Sequence, residues 1–102
     1  MGTPKEPKIS SKGAAVLRAF LDAYPNQLTG SEVMDQLSVA SGTLYPILSR
    51  FEAAKWLSSE WEKGDPVELA RPRRRYYQLT ALGASKAREC IEFILPGALG
   101  RA

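Results

Sequence analysis

Four arginines, Arg71, Arg73, Arg74 and Arg75, lie close together with no acid between them. Guanidinium groups clustered in this way bind phosphate oxygens through charge and through a rigid fork of donors. Upstream lies a second run, Ser41-Gly42-Thr43-Leu44-Tyr45-Pro46-Ile47-Leu48-Ser49-Arg50-Phe51-Glu52. Its apolar residues Leu44, Ile47, Leu48 and Phe51 recur at helical spacing, which leaves Ser41, Thr43, Tyr45, Pro46, Ser49 and Arg50 facing away from a core. Hydroxyls, an aromatic ring and an arginine near the positive end of a helix suit the base edges and phosphates of double-stranded DNA. Neither run suits catalysis. The chain has no histidine and a single cysteine, Cys90, so the commonest general base and metal ligand are missing and the thiol lacks its usual partner. No enzyme, cofactor or metal site is expected.

The 102-residue chain is long enough for one domain with one core, and its formal net charge of +3 does not by itself imply a nucleic-acid partner. The distribution of charge says more. Glu60, Glu62, Asp65 and Glu68 oppose Lys63 alone, and the arginine run follows at once. One cysteine forms no internal disulfide, no apolar run approaches the ~20 residues that cross a bilayer, and the first residues lack an apolar signal core. A cytoplasmic protein with no membrane partner is expected.

The elements that must position these residues follow from period and punctuation. Residues 1–10 carry two prolines and no periodicity, as a flexible N-terminal arm would. Val16, Leu17, Phe20, Leu21 and Tyr24 mark one face of a helix that Pro25 stops. Thr29 and Glu32 have the spacing of a capping box, and Leu28 and Val33 that of a hydrophobic staple across it. A short helix with Met34 and Leu37 facing inward should follow, then a tight connection over residues 38–42 and the helix that holds the second run. Pro46 removes a backbone donor, at little cost if that helix begins at Thr43 and at more if it begins earlier. Leu57, Ser59 and Trp61 alternate with polar residues as a half-buried strand does, and Arg75, Tyr77 and Leu79 repeat the pattern after a loop that runs to Pro72. Arg75 therefore shares a face with Tyr77 and is expected to be partly buried and paired with Glu52, which leaves Arg73 and Arg74 as the better phosphate candidates. Thr80 is a candidate N-cap for a last helix.

This order predicts a mainly α fold with a two-stranded β-wing, a winged helix-turn-helix over residues 11–80, with a dimerisation helix and tail over residues 81–102. A three-helix core would hold the second run as the recognition helix. Ile91, Phe93, Ile94, Leu95 and Leu99 make the last helix apolar on more than one face, and a small domain covers only one, so a homodimer is expected.

The stretches SGTLYPILSRFEAAKWLSSEWE and RPRRRYYQLTALG together resemble the PadR family of winged-helix transcriptional regulators. The matching features are the G-T-L-Y-P run, its Phe-Glu continuation and the R-x-Y-Y-x-L-T-x-x-G close, across roughly residues 14–84. The resemblance implies a dimeric DNA-binding regulator, most often a repressor, with Thr43, Tyr45 and Pro46 at the DNA-facing start of the recognition helix. It places Arg71, Arg73 and Arg74 of the wing on the DNA backbone. It also implies that the first helix helps the last to build the dimer, which adds Phe20 to the candidate interface. Ala14, Ala15 and Tyr24-Pro25-Asn26-Gln27 depart from a family usually richer in leucine there, and the larger C-terminal domain of longer relatives is not expected. A protein-interaction module on the same scaffold is the alternative reading, for which the acidic run would serve. A small-molecule effector near Trp56, Trp61 or Phe93 is a further candidate partner.

Overall fold

The computed structural model describes residues 9–94 and residue 97; most of the expected arm, together with Leu95 and Leu99, lies outside these. Helix α1 (Ser11–Ala23) starts at Ser10, whose hydroxyl oxygen accepts the Gly13 N–H at 3.0 Å. It buries Val16, Leu17 and Phe20 completely and ends before Tyr24-Pro25. Strand β1 (Leu28–Thr29) leads directly into α2 (Gly30–Leu37). The capping box forms in full. Thr29 Oγ1 accepts the Glu32 N–H at 3.1 Å, and Glu32 Oε1 accepts the Thr29 N–H at 2.8 Å. Leu28 and Val33 bury the staple across it.

Ser38 adopts the left-handed conformation (φ 53°) and turns the chain into α3 (Ser41–Ala53), whose N-cap, Ala40, offers no side-chain acceptor. The helix thus begins at Ser41, so Pro46 stands in its second turn and the costlier alternative applies. Pro46 gives no N–H to the Gly42 carbonyl, and because Gly42 is exposed, water can take the donor's place.

Strands β2 (Leu57–Trp61) and β3 (Arg75–Leu79) form the antiparallel wing, with Leu57 opposite Leu79, Ser59 opposite Tyr77 and Trp61 opposite Arg75. Here the sheet exceeds the expected ribbon. β1 pairs with the other edge of β3 in the order β1-β3-β2, and two residues are too few to show an alternating period. The segment expected as a loop also holds a single helical turn, α4 (Pro66–Leu69), because Asp65 Oδ1 accepts the Val67 N–H at 2.9 Å and proline suits the first helical position.

Helix α5 (Ala81–Ile94) begins where Thr80 Oγ1 accepts the Gly83 N–H at 2.9 Å, while the same hydroxyl donates to the Lys55 carbonyl at 2.7 Å. Ala84 and Ala87 join the core, and α5 packs chiefly on α1 and also on β3. Phe20, expected at a dimer interface, is wholly enclosed there. Its side chain is 0% exposed between α1 and the helices that cover it, which leaves no surface for a second copy. Ile91 is likewise buried, whereas Phe93 is 88% exposed. Leu82 and Phe93 share the outer stripe of α5 with Ser85 and Glu89 between them. Among the described residues, no helix is long and apolar enough to cross a membrane.

Candidate nucleic-acid interface

The outer face of α3 is what its helical period dictates. Leu44, Ile47, Leu48 and Phe51 are buried, and Ser41, Tyr45, Pro46, Ser49 and Arg50 are exposed. Thr43 is half-buried, in a groove between the start of α3, the turn before it and the first turn of α1. Lys12 lines the same groove. Nothing in the sequence set this lysine apart from its neighbours, because its nearness to Thr43 arises only when α1 crosses the turn.

Tyr45 has two roles. Its ring lies over Gly30, where a Cβ would overlap the phenol, so any larger residue there would have to push the exposed ring aside. The other side of the ring opens into a groove of about 530 Å³. Across that groove stand Arg73, Arg74 and Arg75 of the wing, with Ser31 at the start of α2. Residues distant in sequence thereby form one basic trough, and the two runs that looked suited to DNA share its walls.

The four arginines separate by partner. Arg71, expected on the DNA backbone, turns instead to Glu62, with Nη1 to Oε1 at 2.7 Å and Nη2 to Oε2 at 2.8 Å. This bidentate fork and the Arg74 N–H, which donates to Oε1 at 3.1 Å, hold the Glu62 carboxyl down at about 2. Arg75 pairs with Glu52 at 3.6 Å, and its guanidinium carbon lies 4.9 Å from the centroid of the Trp61 ring. Arg73, Arg74 and Arg50 are exposed, and none of their side chains forms a salt bridge among the described residues. Trp61, read as part of a half-buried face, is 57% exposed because its ring lies against Arg75 beyond the edge of the core. Burial pushes the Cys90 thiol above its ordinary value, so it remains a protonated thiol at neutral pH.

The family model for PadR-like transcriptional regulators matches residues 26–89, a span that holds the helix-turn-helix, the wing and most of α5. The chain belongs to the PadR-like family of transcriptional regulators. Consistent with that membership, it is similar to the PadR-like transcription factor from Bacteroides fragilis, with 30% identity and a TM-score of 0.66 over 81% of this chain and 82% of the other. The fold extends further. AbfR of Staphylococcus epidermidis superposes with a TM-score of 0.67 at 24% identity, over 92% of this chain and 60% of that one. A mutant MarR from E. coli, solved in complex with operator DNA, superposes with a TM-score of 0.66 at 23% identity, over 86% of this chain and 57% of that one. This chain thus spans less than two thirds of the AbfR and MarR chains. No curated protein matches it.

Proposed function

We propose that this PadR-like regulator binds double-stranded DNA as a homodimer, with α3 in the major groove and the wing against the backbone, and that it represses transcription from a pseudo-palindromic operator. The observation that carries this reading is the basic trough between Tyr45 and the wing, in which the side chains of Arg73 and Arg74 form no salt bridge among the described residues. Beside it, Arg50 and Ser49 stand exposed on α3 for base edges, and the N-terminal turn of the helix adds donors for a phosphate. That a mutant MarR of the same fold was solved in complex with operator DNA supports DNA binding. For the dimer, the support is the outer stripe of α5, where Phe93 is exposed. Two copies would place their recognition helices about one helical turn, ~34 Å, apart.

Selection of bound duplexes from a random library tests the proposal. An inverted repeat with half-sites one turn apart is the expected result, and sedimentation should give twice the chain mass. Failure to bind any duplex at low salt would overturn DNA binding and favour a protein-interaction module.

A further inference from the structure

Glu52 is out of place on a helix read as facing DNA, where a carboxylate repels phosphates. Its surroundings account for it. Oε2 accepts the Ser59 hydroxyl of β2 at 2.6 Å and lies 3.6 Å from Nη2 of Arg75 on β3. Arg75 in turn sits against the ring of its cross-strand partner Trp61, 4.9 Å from the centroid, and 6.0 Å from that of Tyr77. One carboxylate on α3 therefore grips both strands of the wing. Arg75 lines the trough beside Arg73 and Arg74, opposite Tyr45.

We propose that Glu52 is a positioning residue, which acts through Arg75 and Trp61 to lock the recognition helix to the wing and so sets the width of the trough between them. The inference rests on the DNA-binding reading above, but it makes a claim about the free protein as well. Arg75 is the middle of a latch and is no phosphate anchor, unlike Arg73 and Arg74. Its guanidinium is the right group for the task, because a flat cation can lie on an indole and still present an edge to a carboxylate. With both side chains of the pair about one-third exposed, at 34% and 36%, the contact is accessible to competing ions.

The sign of one substitution separates this role from simple charge. Removing an acid near DNA should tighten binding if Coulomb repulsion alone operates. If the latch operates, Glu52→Gln should weaken binding to a selected duplex about three- to five-fold, the scale of one partly exposed ion pair. Arg75→Lys keeps the charge and should weaken binding to a similar degree without changing the salt slope. Arg73→Ala should cost less in the Glu52→Gln background than in the wild type, since the wing is already displaced. In the free protein, the Arg75 Nε–H proton resonance, shielded by the Trp61 ring, should move toward its unstacked position in Glu52→Gln. Tighter or unchanged binding by Glu52→Gln, or an unmoved Arg75 resonance, overturns the latch. If the wild type binds no duplex, the DNA-binding reading falls, and the resonance still decides whether Glu52 holds the wing.

Discussion

Trp56, just before β2, and Trp61, at its end, experience different forces. Trp56 is 3% exposed, its ring stacked on Phe51 at 5.4 Å, and its carbonyl accepts the Thr80 N–H at 3.0 Å with Gly83 close above it. Trp61 is 57% exposed and its main partner is a cation. Around the first, apolar surface and backbone hydrogen bonds hold the root of the wing to α3 and α5. Around the second, Glu62 with Arg71 and Glu52 with Arg75 hold the tip. The root should therefore respond to cavities and crowding, and the tip to acid and salt.

The largest effect should come from the root. Trp56→Ala is expected to cost about 3–5 kcal/mol of unfolding free energy, measured by urea denaturation, through lost burial and the cavity left beside Phe51. A loss no greater than that of Trp61→Ala would break the comparison. Next comes Gly83→Ala, at about 1–3 kcal/mol, seen as a lowered midpoint of thermal unfolding. There the new Cβ would overlap the Trp56 carbonyl oxygen, a backbone atom that cannot swing aside as the end of a side chain can, and would crowd Leu79.

Acid should affect the tip alone. The Glu62 carboxyl is lowered from 4.5 to about 2, so the unfolded chain takes up this proton first as pH falls. Its contribution is complete above about 4.5 and is lost as pH drops toward about 2. The Trp61 indole resonance should shift over that range while the Trp56 resonance stays still, and Glu62→Gln should reduce the response, the remainder coming through Glu52 and Arg75. The smallest effect is expected of Trp61→Ala, within about 0.5 kcal/mol in unfolding free energy, as for an exposed residue away from the core. The same change should still weaken DNA binding if Trp61 supports Arg75.

Much of the fold was legible because it depends on near neighbours. Thr29 and Glu32 are three positions apart, and their capping box forms as the spacing requires. The apolar residues of α3 point inward as their period demands. The pairing of Arg75 with Glu52 could also be read, because alternation places Arg75 on the inner side of its strand. Other features gave no local signal. Phe20 looks as suitable for a dimer as for a core until neighbouring helices enclose it. Arg71 resembles Arg73 in sequence, and only the fold of the wing brings the Glu62 carboxylate to its fork. The family resemblance likewise treated the three wing arginines alike.

By itself, then, the sequence determined most of the elements, though not β1 or α4, the apolar side of the helices, and the helix-turn-helix followed by a wing. Those properties arise from hydrogen bonds and periodicities spanning a few residues. Only the tertiary structure decided which arginines form salt bridges, that the Tyr45 ring lies over Gly30, and how Glu52 reaches both strands of the wing. These are through-space relations, and a charge or a ring selects its partner by distance after the chain has folded.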